Sequence, residues 1–114
     1  MTLSPEKVAA GAARAAEEKK AKDVILLDIH DISTVCDYFV ICSGMSSTQV
    51  KAIAENIEKK LKEHGVMKLR MEGFKDAHWV LLDYGSVVVH VFREDDREFY
   101  NLEHLWGDAR VVHL

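Results

Sequence analysis

The spacing of apolar positions changes several times along this chain, and each change marks an element. Residues 23–29, DVILLDI, form a nearly continuous apolar run, which predicts a buried strand rather than an alternating surface one. Residues 37–42, DYFVIC, predict a second buried strand, and the polar stretch HDISTVC before it reads as a connecting loop. The spacing then becomes helical: Val50, Ile53, Ala54, Ile57 and Leu61 form one stripe. Ser46 and Gln49 match a capping box at its start, Lys59, Lys60 and Lys62 suit the carboxyl end of the dipole, and Gly65 stops it. An earlier helix, about residues 4–20, opens with Ser4 as N-cap and Pro5 in the first turn. Its stripe of Val8, Ala12 and Ala15 is thin, which predicts packing at the edge of the domain. VMKLRME, residues 66–72, alternates and predicts a more exposed strand.

Residues 78–92, HWVLLDYGSVVVHVF, predict a β-hairpin turning at Tyr84-Gly85. That turn sets Asp83 opposite Ser86, Leu81 opposite Val88 and Trp79 opposite His90. One face then carries Val80, Leu82, Val87, Val89 and Val91 and belongs against a core. The other mixes Trp79, Leu81, Val88 and His90 with Asp83 and Ser86, too polar for a core and too apolar for solvent. Either a further helix covers this face and Trp79 is a core residue, or a partner docks on it. The acidic-basic REDDRE follows, then a helix with Phe99, Leu102, Leu105 and Trp106 on one side and Gly107 as its stop. The tail, residues 107–114, either adds an edge strand or stays loose. The order α-β-β-α-β-β-β-α implies one α/β (α+β) domain over residues 1–114, with helices packed on a mixed sheet of about five strands.

Composition narrows the function. The chain has 114 residues and a net charge of −4, with no dense Lys/Arg block, so direct sequence-specific nucleic-acid binding is disfavoured. An acidic protein still fits a basic protein of a nucleic-acid machine. Cys36 and Cys42 lie about 20 Å apart along extended chain, too far for a disulfide, and read as free thiols in a reducing compartment. No apolar run approaches the roughly 20 residues of a membrane span. The amino-terminal residues lack both signal-peptide and transit-peptide patterns, which predicts a cytoplasmic protein.

Catalytic arrangements find little support. Ser43, Gly44 and Ser46 lie where a strand meets a helix amino terminus and could cradle a phosphate, as in a nucleotide-binding or nucleotidyltransferase-like enzyme. Such transfer needs paired metal-binding carboxylates, and neither the Asp28 nor the Asp83 strand presents Asp-x-Asp or Asp-x-Glu. Cys42 with His90 or His78 and Asp83 makes a weak Cys-His hydrolase set, because buried strand cysteines are usually inert. His30, His64, His104 and His113 share no motif and read as surface residues. No cofactor, no metal site and no enzymatic activity are therefore expected.

The motifs DVILLDI, DYFVICSGMSSTQVKAIA, EGFKDAHWVLLDYGSVVVHVF and FYNLEHLW, in that order, resemble the Iojap-like family of ribosomal silencing factors over about residues 23–106. The resemblance implies nucleotidyltransferase-like topology without the transferase carboxylates. It also implies binding to the large ribosomal subunit through ribosomal protein L fourteen, which blocks joining of the small subunit and represses translation under nutrient limitation. The family's strand-start tryptophan falls on Trp79 and its Asp-x-Gly turn on Asp83, Tyr84 and Gly85; Ser86 replaces an aspartate common after that glycine. Trp79, Leu81, Asp83, Tyr84 and Val88 are accordingly the expected partner-binding residues, with Tyr100, Leu102, Leu105 and Trp106 either bracing the sheet from behind or, in part, extending the contact. A homodimer through the same face remains open beside this reading.

Overall fold

The computed structural model describes residues 3–107 and 109–112. His113, one of the histidines expected on the surface, lies outside them, as do Asp108 and Leu114 of the tail. The elements are α1 (Pro5–Glu18), β1 (Lys22–Asp28), β2 (Tyr38–Gly44), α2 (Ser47–Glu63), β3 (Arg70–Glu72), β4 (Trp79–Asp83), β5 (Val87–Arg93), α3 (Glu94–Tyr100), α4 (Leu102–Leu105) and β6 (Arg110–Val112). Six strands, not the expected five, form one sheet in the order β3-β4-β5-β2-β1-β6. β2 and β5 run parallel at its centre and the other pairs are antiparallel. The sixth strand is the tail, which pairs Arg110 with Asp28 through Val112 with Leu26. Arg110 also reaches the Asp28 carboxylate at 2.7 Å, fixing this short edge strand by charge as well as by its ladder.

Both long helices cover one face of the sheet. Ser46 accepts from the Gln49 N–H as expected, while the Gln49 side chain accepts from Met45 N–H and donates to the carbonyls of Lys19 and Lys20. That one amide joins the start of α2 to the end of α1. Gly65, at φ +79°, closes α2: its own N–H donates to Lys62 and that of Val66 to Leu61. The placement of α1 corrects the sequence reading. Val8, Ala9, Ala12, Ala13, Ala15 and Ala16 are all buried, so α1 is a core helix. Small side chains let it approach α2 closely, and the thin stripe reflected residue size, not shallow packing. Asn56 of α2 reinforces the contact by donating to the Ala15 carbonyl and Glu18 carboxylate.

The aliphatic face of the hairpin is where alternation placed it: Val80, Leu82, Val87, Val89 and Val91 pack in the helix-side core. The register differs by two residues. Asp83 faces Val88, Leu81 faces His90 and Trp79 faces Phe92. The turn is Gly85-Ser86, with Gly85 at φ +84° and the Tyr84 N–H donating to the Val87 carbonyl. A twist-compatible turn at Tyr84-Gly85 would have put positive φ on tyrosine; sliding it forward puts that conformation on glycine alone. A shift of two preserves parity, so every residue keeps its expected face.

Two further expectations change. β3 begins at Arg70 instead of 66, because the chain leaving Gly65 meets β4 only at the Leu69 N–H to Asp83 carbonyl bond. The carboxyl-terminal helix is split by Asn101, which adopts φ 45° and ψ 52°, a left-handed conformation that asparagine tolerates. The split turns Phe99 and Leu105 outward, 81% and 74% exposed, so they do not line the core beside Leu102 and Trp106.

Candidate functional site

The second face of the sheet has its own smaller core. Leu27, Ile29, Cys36, Ile41, Val88 and Phe92 are buried there, with Ile25, Phe39, Trp79, Leu81, Leu102, Trp106 and Ala109 packed around them. No long helix covers this side; α3, α4 and the chain around Ala109 cover part of it. Trp79 and Leu81 remain half-buried at its border.

Trp79 is held on three sides. Its ring stacks on Phe92 at 4.9 Å and 28°, meets Tyr100 at 4.9 Å, and its indole N–H donates to Nδ1 of His90 at 3.0 Å. Tyr100 in turn meets Phe99 edge-on at 5.2 Å. Trp79, Tyr100 and Phe99 thus form a contiguous aromatic surface that begins braced and ends in solvent. His90 lies beneath it, buried, with Phe39 edge-on at 4.8 Å. Burial pulls its pKa down to about 4, so the ring is neutral near pH 7. Because Nδ1 accepts from the indole, the ring proton belongs on Nε2, which has no hydrogen-bond partner.

Of the residues expected at a partner site, Trp79, Leu81, Asp83 and Val88 share this face. Val88 is nearly buried and offers little area. The Asp83 carboxylate accepts from the Gly85 N–H at 2.8 Å and from Arg70 at 3.1 Å, so it already serves the turn and the edge strand. Tyr84 points to the opposite side, against the helix-side core, and burial of its hydroxyl without a partner pushes the phenol up to about 12. Sequence reading left Phe99 out of the contact, and it set Tyr100 and Leu105 behind the sheet or, in part, as an extension of the contact. The Asn101 break is the signal that would have helped: it uncouples Phe99 and Tyr100 before it from the stripe of Leu102 and Trp106 after it, and re-aims Leu105. The helices beside the aromatic surface are acidic: Asp95 and Asp96 in the first turn of α3 pair with Arg93 at 3.4 Å and His78 at 2.9 Å, while Glu94, Glu98 and Glu103 line the cavity next to Ser43.

The alternative site at the end of β2 has its groups engaged elsewhere. Ser43 is buried and its hydroxyl accepts from Arg97 at 2.9 Å; Ser46 caps α2. A Cβ at Gly44 would stand 3.0 Å from the Val50 side chain, so this glycine serves close packing. The adjacent cavity, ≈ 430 Å³, is lined by Asp23, Ser43, Glu94, Arg97, Glu98, Asn101 and Glu103, a mostly acidic wall that opposes a triphosphate. Cys42 and His90 occupy opposite faces of the sheet, which separates the hydrolase pair. Both cysteines are free and buried, and desolvation pushes Cys36 up to about 11 and Cys42 to about 12. Among the described residues no three His, Cys, Asp or Glu side chains gather as metal ligands, and no helix is long and apolar enough to cross a membrane.

Comparison with known proteins adds an independent line. A family model described as ribosomal silencing factor during starvation matches residues 2–114. Ribosomal silencing factor RsfS of Bacillus subtilis is 52% identical over 103 residues, covering 90% of this chain and 87% of that protein. The crystal structure of protein CV0518 from Chromobacterium violaceum superposes with a TM-score of 0.90 at 38% identity, covering 92% of this chain and 88% of that one. A more distant mouse relative, mitochondrial assembly of ribosomal large subunit protein 1, is 32% identical over 92 residues, spanning 78% of this chain and 40% of the mouse protein.

Proposed function

This chain belongs to the ribosomal silencing factor family, and on that footing we propose that the open part of the sheet's second face docks on the large ribosomal subunit through ribosomal protein L fourteen. Occupancy of that surface excludes the small subunit and represses translation in the cytoplasm during nutrient limitation. The observation that carries the reading is the aromatic run Trp79–Tyr100–Phe99, which is braced at one end by Phe92 and His90 and exposed at the other. A rigid, partly desolvated tryptophan at the edge of an exposed apolar patch is what interfaces use as an anchor, contributing about 2 kcal/mol or more.

Charge argues for the kind of partner. A net charge of −4, with acidic residues concentrated in α3, complements a basic ribosomal protein and repels bare RNA phosphates. The same net charge opposes close pairing of two copies. Silencing by occupancy requires no turnover of substrate, in keeping with a strand-to-helix turn whose Ser43 and Ser46 hydroxyls are already committed.

Sucrose-gradient co-sedimentation with purified large subunits tests the reading. Trp79→Ala keeps a cooperative thermal transition and loses co-sedimentation; co-sedimentation at the wild-type level would contradict the docking role. For the enzymatic alternative, titration of nucleoside triphosphate with magnesium at millimolar concentration gives no heat.

A further inference from the structure

α3 carries Phe99 and Tyr100 yet has a single buried side chain, and that side chain is a cation, Arg97. α4 buries none. A helix without a buried apolar anchor depends on its one interior group, because its other side-chain ties, Asp96 to His78 at 2.9 Å and Tyr100 against Trp79 and Phe92, lie toward the surface. The Arg97 guanidinium Nη1 donates to the Asp23 carbonyl at 2.7 Å and to the Ser43 hydroxyl at 2.9 Å, with the Lys22 carbonyl at 3.5 Å. Its Nε donates to Glu103 of α4 at 3.4 Å. Arg97 therefore ties α3 to the start of β1, the end of β2 and α4.

The receiving end is shaped for this contact. The β1–β2 register shifts between Lys22 and Ile25, and Asp23 within that irregularity takes φ +51°, strained for a residue other than glycine. The strain places the Asp23 carbonyl on the guanidinium instead of in the ladder. Tyr100 lies three residues, about one helical turn, beyond Arg97 on the adjoining part of the same helix face and meets Trp79 at 4.9 Å.

We propose that Arg97 is the positioning residue of the docking surface: by locking α3 to the bulged start of β1 and to Ser43, it holds Tyr100 against Trp79 in the arrangement the large subunit recognises. The proposal rests on the docking function above and adds a residue that touches no partner. Removing the guanidinium leaves α3 held only by the exposed Asp96–His78 contact and the Tyr100 ring contacts, which loosens it while the sheet and its helix-side core remain, so folding survives and recognition suffers.

The test uses the full chain with Arg97→Met, Arg97→Lys, Ser43→Ala and Trp79→Ala, measured by thermal melting, large-subunit binding and proton NMR contacts between the Tyr100 and Trp79 rings. Arg97→Met is expected to melt cooperatively, lose the Tyr100–Trp79 contact and bind roughly tenfold more weakly. Lysine, retaining one charged donor, restores part of both signals, and Ser43→Ala weakens binding by a smaller factor. Should Arg97→Met not fold, Arg97→Lys and Ser43→Ala decide the question by the same two signals. Wild-type binding by the Arg97 and Ser43 variants, with Trp79→Ala inactive, overturns the positioning role alone. Weakened binding with the ring contact intact also overturns it. If Trp79→Ala binds normally as well, the docking reading itself fails.

Discussion

The indole N–H of Trp79 donates to a buried, neutral His90 at 3.0 Å, although the two residues sit diagonally across the β4–β5 ladder. The bond makes the half-exposed aromatic surface depend on the protonation state of a core residue. Once charged, His90 presents hydrogens at both ring nitrogens, and Nδ1 can no longer accept from the indole.

Acid should therefore weaken the domain through His90. Its folded pKa of about 4 lies below the ordinary 6.5, so between those values the unfolded chain binds more protons than the folded one. The stabilisation is fully present above pH 6.5 and declines as pH falls toward 4. The shift corresponds to a loss of about 3 kcal/mol across the window. Urea denaturation at several pH values measures it, and His90→Gln, whose amide oxygen can accept from Trp79 without titrating, flattens the difference. An equally steep decline in His90→Gln would contradict the assignment.

Two glycines with the same φ should differ in cost when changed to alanine. Gly65 and Gly73 both have φ +79°, but a Cβ at Gly65 meets nothing within 4 Å whereas one at Gly73 would stand 2.1 Å from the Trp79 carbonyl oxygen. Gly65→Ala then costs only the left-handed strain, about 1 kcal/mol. Gly73→Ala adds a backbone collision and costs roughly 3 kcal/mol, with a shift in tryptophan fluorescence. Equal denaturation midpoints for the two variants would refute the close approach.

The two faces of the hairpin should respond oppositely to charge. Val89 is buried on the helix side, so Val89→Asp strands a carboxylate there and removes roughly 4 kcal/mol or more, enough to abolish a cooperative melt. Leu81 is half-buried on the open face, and Leu81→Asp should still melt cooperatively. Circular dichroism melts of the pair decide the matter; a native-like curve for Val89→Asp would mean the faces are inverted.

Much of the fold was legible in the sequence because side-chain parity survives errors of register. Alternation put Val80, Leu82 and Val89 on one face and Trp79 and Leu81 on the other, even though the turn sits one residue later than Tyr84-Gly85 suggested. The caps at Ser4 and Ser46 were readable because their hydroxyls act locally. What escaped depends on distant partners. Alanines in α1 look like a weak stripe until α2 is beside them, and Arg97 looks like one charge in REDDRE until the Asp23 and Lys22 carbonyls meet it. The outward turn of Phe99 and Leu105 depends on one left-handed residue, Asn101, inside a helical pattern.

Phe99 offers the most direct measurement of the central claim, because it is 81% exposed, supports no core contact, and on the docking proposal meets the partner. Phe99→Ser should leave stability within about 0.5 kcal/mol of wild type. Its affinity for purified large ribosomal subunits, read by gradient co-sedimentation beside a Lys59→Ser control on the helix side, should fall by about tenfold or more. Unchanged affinity in Phe99→Ser, or an equal fall in both variants, would contradict docking through the aromatic face.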